Sequence, residues 1–286
     1  MAANIEVIPT GAALGAEVRG VDLARDMDAA ALSVINDAWD QHLVLLFRGQ
    51  KLDDPRLLAF SRQFGELDPP GQNPYGSPFL PEFPEINVIS NIVEDGKPIG
   101  NLGAGEAVWH CDMTYIEAPP KAAILHAHEI PAHGGDTHFA NMVEAYGTLP
   151  GDLKRAIEGK RAIHDSSHNS AGMLRKGFAE VSDVRETPGA RHSLVRTDLE
   201  TGQKALFLGR RPRACILGLE VARSEALLDA LWRHATDPRF AWRHQWRTGD
   251  VLMWQNLRIL HRRDAFDNDA RRIMHRTQIR GDQPIV

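Results

Sequence analysis

The sequence predicts a mainly β protein with flanking helices, built as a β-sandwich or jelly roll with helices packed on one face. Three observations predict it. Short apolar or alternating runs dominate the middle and the end of the chain. Helical periodicity is concentrated at the start and in insertions. The strict strand–helix alternation and the GxGxxG turn of a doubly wound α/β fold are both missing.

In order, residues 5–23 (IEVIPTGAALGAEVRGVDL) read as two short strands around a glycine turn. Residues 27–40 carry apolar positions at helical spacing after an acidic start, and HLVLLFRGQ (42–50) is a buried strand ended by Arg-Gly. Residues 53–65 form a second helix, with Pro55 in its first turn and Gly65 past its end. Residues 66–106 are dense in Pro and Gly around one strand, EINVISNIV (85–93). Strands then follow in AVWHCDMTYI, KAAILHAHEI and DTHFANM, and a helix over 144–159. Residues 165–190 are polar and irregular. ALFLG (205–209) is a strand and 224–236 an amphipathic helix, before the closing strands FAWRHQW, DVLMWQNL, ILHRR and RRIMHRTQIR. The expectation is a single domain, 1–286, with lid-like insertions near 66–106 and 165–190, since long irregular stretches in a compact domain tend to be binding loops.

Bulk properties narrow the function. With 286 residues, 43% apolar and 25% charged, the chain can bury a sizeable core. A net charge of −5 offers no basic footprint for nucleic acid. No apolar run of about 18 residues predicts a membrane span. The opening MAANIEVIPTG lacks the layout of a secretory signal, and Cys111 and Cys215 are too few for a disulfide scaffold, so a cytoplasmic home is expected.

The chemistry centres on WHCDMTY (109–115). In a strand, residues two apart share a face, so His110 and Asp112 project together and Cys111 points away. Imidazole beside carboxylate suits a borderline divalent metal. A third His on a neighbouring strand would complete the two-His-one-carboxylate facial triad that holds iron(II) and leaves three positions open. Alone, HxD is weak in a chain with 13 His, where a strand His bonded to a nearby Asp is the plain alternative. The ordered set decides: GGDT (134–137) follows, then His261, then Arg272 and Arg276 in ARRIMHRTQIRGD.

From GAEVRGVDL through LVLLFRGQ, FGEL, WHCDMTYIEAPP, GGDT, LVRTDLETGQKALFLG, GDVLMWQN and HRRD to RRIMHRTQIRGD, nearly the whole chain resembles the taurine dioxygenase and 2,4-dichlorophenoxyacetate dioxygenase family of iron(II)/2-oxoglutarate enzymes. The resemblance implies a double-stranded β-helix (jelly-roll) core. It implies Fe(II), 2-oxoglutarate as co-substrate and O2, and hydroxylation of a small anionic organic substrate with release of succinate and CO2. His110, Asp112 and His261 match the iron ligands, and Thr137 and Arg272 the positions that hold the distal carboxylate of 2-oxoglutarate. Arg supplies a planar fork for such a carboxylate. Arg276 matches a position that meets the acidic group of the substrate in the taurine enzyme. In a strand it shares a face with Arg272, about 13 Å along. Phe207, in ALFLG, is expected near the pocket by the same resemblance, though a core role competes for it as for Trp109 and Trp254. Relatives of this kind are commonly homo-oligomers, dimers or tetramers.

The chain also departs from the family. LDPPGQNPYG and GAGEAV lack the His and Asn that would meet a sulfonate in the taurine enzyme, and Trp254-Gln255-Asn256-Leu257 replaces a common Trp-Asp-Asn-Arg. His126 and His128, in a run that also holds His133 and His138, would be a rival metal pair if they share a strand face, but no third ligand follows at suggestive spacing, and strand-surface or satisfied polar residues are the plainer reading. The alternative from another class is a metal-holding jelly roll that binds a small molecule without turnover.

Overall fold

The structure is a computed structural model and describes residues 5–71, 76, 78–199, 201–281 and 285. Parts of the expected 66–106 insertion, residues 72–75 and 77, lie outside the described residues. In chain order the first core strands are β1 (Glu6–Pro9), β2 (Ala16–Arg19), β3 (Val44–Phe47), β4 (Leu67–Asp68), β5 (Asn87–Ser90), β6 (Asn101–Leu102) and β7 (Ala107–His110). The rest are β8 (Ala122–Glu129), β9 (Thr137–Asn141), β10 (Ala241–His244), β11 (Val251–Gln255), β12 (Ile259–Arg263) and β13 (Ile273–Ile279). The larger sheet runs β1-β2-β3-β11-β8-β13-β5-β6, with β4 also on β13, and the smaller runs β10-β9-β12-β7. The two face each other as the jelly-roll core.

Side-chain alternation explains the layers. From β3, β8, β11 and β13, residues Val44, Leu46, Ala123, Leu125, Leu252, Trp254 and Met274 meet Phe139 and Ile259 of the smaller sheet. Their strand neighbours Leu45, Phe47, Ala122, Ile124, Val251, Met253 and Ile279 point to the other face and pack under the helices. Each such fully buried Leu or Phe contributes roughly 1.5–3 kcal/mol.

Two helices cover that outer face. Helix α1 (Ala29–His42) starts at Asp28, whose carboxylate accepts from the Ala31 N–H at 2.8 Å, and stops at Leu43, at φ 63, whose N–H donates to the Trp39 carbonyl at 2.8 Å and whose side chain is buried between the sheets. Helix α2 (Asp54–Arg62) starts at Asp53 with Pro55 in its first turn, where a missing N–H costs nothing. It lies on β13, with Ser61 Oγ 2.7 Å from Thr277 Oγ1. Between β9 and β10, α3 (Met142–Gly147), α4 (Gly151–Ile157) and α5 (Val221–Ala235) pack on the outside of the smaller sheet, against Ala140 and Leu260. None of the described helices is long and apolar enough to cross a membrane.

The structure corrects several expected boundaries. The strand expected over AVWHCDMTYI ends at His110, because residues 112–117 turn, with Met113 at φ 50. The helix expected over 144–159 is two helices, broken before Pro150, which has no N–H to carry one helix through. EINVISNIV is strand only over Asn87–Ser90 with a separate Val93–Glu94, and ALFLG only within Lys204–Leu206. Short strands carry less hydrophobic pattern than the ladders that define them, so their ends follow tertiary pairing.

Candidate active site

Strands β7 and β12 pair antiparallel with His110 opposite His261, which sets the two rings 4.1 Å apart. Asp112 reaches them from the turn after β7, not from a shared strand face as the sequence suggests. Its Oδ1 lies 3.7 Å from His110 Nε2 and its Oδ2 3.9 Å from His261 Nε2. One donor atom from each of the three lies within 4.8 Å of the others. His110 Nδ1 sits 2.7 Å from the Val108 carbonyl; donating there fixes the tautomer that leaves Nε2 bare for a metal.

Charge and burial fit a divalent cation. Asp112 Oδ2 is buried without a hydrogen-bond partner, a costly state that a metal would relieve. Burial alone would push the Asp112 carboxyl up, but Arg276, His261 and His110 overcome it and hold the group well below the usual carboxylate range. Burial, with His110 beside it, pushes His261 well below an ordinary imidazole, so its ring is neutral and able to ligate.

The turn is held from far along the chain. The fully buried Asn256 accepts from the Asp112 N–H at 2.9 Å and donates to the carbonyls of Asp112 at 3.0 Å and Pro120 at 2.8 Å. Cys111 Sγ, also buried, donates to the Asn256 carbonyl at 2.8 Å. The two departures beside it leave this clamp alone: Gln255 bonds Asp40 at the surface and Leu257 packs in the core. Asn256→Ala should therefore strand buried backbone groups and cost about 2–4 kcal/mol of stability. It should also weaken iron(II) binding by roughly the 10–100-fold typical of a lost outer partner. Thermal melts and iron titration check this; unchanged values in both would show that the turn stands without its clamp.

Behind the triad lies a chamber lined by Ile89, Leu125, Trp254, Thr137, Arg263 and Arg272, with His110, His261 and Arg276 at its wall. Arg272 is fully buried, and among the described residues no carboxylate forms an ion pair with it; its guanidinium lies 5.8 Å from the Phe266 ring, and the Asp136 charge favours its charged form without pairing with it. Burial, then Arg263, pushes it well below the usual guanidinium range, the mark of a cation awaiting an anion. Gly134 and Gly135, in the expected GGDT turn, make the room: a Cβ on Gly135 would sit 3.3 Å from Arg272 Nε, and both glycines have positive φ. Thr137 Oγ1 accepts from Trp246 Nε1 at 2.9 Å, which leaves its own proton to donate. Arg263 was not singled out by the sequence reading. It donates to the Leu102 and Gly105 carbonyls, pairs with no carboxylate among the described residues, and burial brings it down to about 10. Its position two residues beyond His261 on one strand was the available signal.

An outer cleft opens on the same centre. It is lined by His110, Asp112, Tyr115, Arg175, Arg210 and Arg276, with both insertions contributing, Asn87 and Asn101 from one and Asp165 and Asn169 from the other. Arg276, expected to meet a second anion, already pairs with Asp112 Oδ1 at 2.7 Å. Arg210 pairs with Asp165 at 2.7 Å. Arg175 stacks 4.0 Å from the Tyr115 ring and donates to the Ser166 carbonyl, with no carboxylate partner among the described residues. Phe207 is placed in the core, 5.4 Å from the His164 ring, and does not itself line either cavity; the chain beyond it reaches the site, where the Gly209 carbonyl accepts from the Cys111 N–H. Trp254 packs between the sheets and also lines the inner chamber, and Trp109 is half-buried against the core cluster that holds α3 and α5. His126 and His128 lie on the opposite face of the larger sheet from this site.

Residues 6–278 match the profile of the family described as "Taurine catabolism dioxygenase TauD, TfdA family". The chain is 34% identical over 272 residues to the alpha-ketoglutarate-dependent 2,4-dichlorophenoxyacetate dioxygenase of Burkholderia sp. (strain RASC), covering 93% of this chain and 91% of that one. It is 33% identical over 296 residues to the alpha-ketoglutarate-dependent sulfate ester dioxygenase of Pseudomonas putida, covering 99% and 92%. Among solved structures it is similar to AAD-2 in complex with Mn(II) and N-oxalylglycine, with a TM-score of 0.82, 29% identity and 99% of each chain covered.

Proposed function

The chain belongs to the taurine catabolism dioxygenase TauD, TfdA family, and we propose that it hydroxylates a small organic acid whose anionic group is received by Arg175 and Arg276. It is a 2-oxoglutarate-dependent dioxygenase, using iron(II), 2-oxoglutarate and dioxygen. In this reading His110, Asp112 and His261 hold the iron, and Arg272 and Thr137 hold the far carboxylate of 2-oxoglutarate. When bound, iron and co-substrate supply oxidation of a substrate C–H bond by dioxygen, coupled to decarboxylation of 2-oxoglutarate to succinate and CO2.

The protein's own part is orientation and exclusion of water. Arg276 keeps Asp112 ionised and turned toward the two imidazoles. The Thr137 hydroxyl and the Arg272 fork converge on one chamber, and Ile89, Leu125 and Trp254 keep its walls apolar. Arg263, in the same chamber, adds positive potential for a dianion.

The observation that carries the substrate class is the charge balance of the outer cleft. Three arginines, Arg175, Arg210 and Arg276, face two aspartates, Asp112 and Asp165, each already paired, so Arg175 is left over. The relatives act on a chlorophenoxyacetate and on sulfate esters, which share a small organic anion. Succinate release should be measured across aryloxyalkanoates, sulfate esters and sulfonates, each beside an uncharged analogue. Acids should be preferred. Arg175→Gln should raise their KM by roughly 10–100-fold, the worth of a hydrogen bond to a charged group, while KM for 2-oxoglutarate holds. Arg276→Gln should impair both substrate use and iron binding, because it also frees Asp112 of its partner. An uncharged analogue used as well as the acid, with Arg175→Gln indifferent, would sink the reading.

A further inference from the structure

The face of the larger sheet turned away from the active site carries a second set of ligand-bearing side chains. Leu125, Ala127 and Met274 point inward, so their strand neighbours His126, His128 and His275 point out under helix α2. Register places His126 directly opposite His275 across β8 and β13. Helix α2 brings Asp54 to the same spot, with Asp54 Oδ1 2.6 Å from His275 Nδ1. The His128 and His275 rings lie 4.1 Å apart, and the His126 and His128 rings 4.4 Å apart.

We infer that Asp54, His128 and His275 form a second divalent-metal site, of the zinc class, on the outer face of the sheet. One donor atom from each lies within 4.8 Å of the other two. His128 Nε2 and His126 Nδ1 are buried polar atoms without a partner, which three crowded imidazoles do not explain by themselves. Two imidazoles and one carboxylate, with water for the fourth position, suit zinc and its neighbours in the late first row, and not calcium or magnesium, which want oxygen throughout. Burial, then His275 and His126, bring His128 down to about 4, so its ring is neutral and its lone pair available. Asp54 and His275 are only part-buried, so a cation can reach them from solvent. The site ties the first turn of α2 to the two central strands, β8 and β13, the second of which carries Arg276 on its other face. His126 flanks the three, its ring 4.4 Å from that of His128.

The test is zinc stoichiometry on EDTA-stripped full-length protein, by equilibrium dialysis at micromolar free zinc. The wild type should hold two Zn(II) per chain, one at each site. His261→Ala, which removes only the triad, should hold one. Adding His128→Ala or, separately, Asp54→Asn to that variant should leave none, with the metal-free melting profile still cooperative. In His261→Ala, zinc at about a hundredfold excess over its Kd should raise Tm by roughly 5 °C, and the added His128→Ala should abolish the rise. His261→Ala that folds and binds no zinc, or binds it regardless of His128 and Asp54, would overturn the second site. A wild type holding one zinc that His128→Ala removes would instead support it and count against the triad.

Discussion

Replacing His261 with alanine is expected to abolish turnover and the visible charge-transfer absorption that iron(II) and 2-oxoglutarate give together without oxygen. His261 is one of only three donors that converge there among the described residues, and its Nε2 is what Asp112 Oδ2 faces at 3.9 Å. Two remaining ligands cannot impose a facial arrangement, so the loss should exceed the roughly 10–100-fold that removal of an outer partner costs. His110→Ala and Asp112→Ala should behave alike. Asp112→Ala has an added penalty, because it leaves Arg276 buried without its carboxylate. The absorption band is the better readout than bulk iron content, since it reports metal and co-substrate at one centre. His126→Ala, on the far face of the sheet, should keep both band and turnover. A His261→Ala protein with a full band and normal turnover would show that the iron is held elsewhere.

Arg272→Ala is expected to raise the KM for 2-oxoglutarate by about a hundredfold or more. Breaking a buried ion pair costs about 3–5 kcal/mol, and each ~1.36 kcal/mol is tenfold. Arg272→Lys should recover only part, because an ammonium cannot form the bidentate fork. The same guanidinium makes a second, opposite prediction. Without 2-oxoglutarate it is a fully buried cation with no carboxylate partner among the described residues, and such a group costs stability. Arg272→Leu, which keeps much of the volume, should therefore melt higher than the wild type in the absence of co-substrate, and should lose the stabilisation that added 2-oxoglutarate gives the wild type. Steady-state kinetics and thermal melts read the two effects. An unchanged KM in Arg272→Ala would place the anchor on Arg263 instead, the other chamber arginine without a carboxylate.

In β13, Met274 and Arg276 look into the sandwich while His275 and Thr277 meet α2, so the period of two separates the candidate active site from the cluster of Asp54, His128 and His275.

By itself the amino-acid sequence determined the family, the β-rich core and the candidates His110, Asp112, His261, Thr137, Arg272 and Arg276, which gather at the centre, but not Arg175, Arg210 or Arg263 beside them. The reason is that these signals are local or ordered along the chain: alternation in VLLF and VLMWQ sorts side chains to two faces, and the HxD, GGDT, His and Arg motifs keep their order whatever the loops do. Tertiary structure alone decided how Asp112 meets the histidines, because its turn is pinned by Asn256 from another part of the chain. It alone gave Arg276 a carboxylate partner and left Arg175 without one, since Arg175 sits in an irregular stretch with no period to read. It also brought His275 and Asp54 beside His128, partners that the sequence did not offer it. His275 arrives by cross-strand register and Asp54 by the docking of a helix, and both depend on how distant segments pack, which spacing along one chain does not encode.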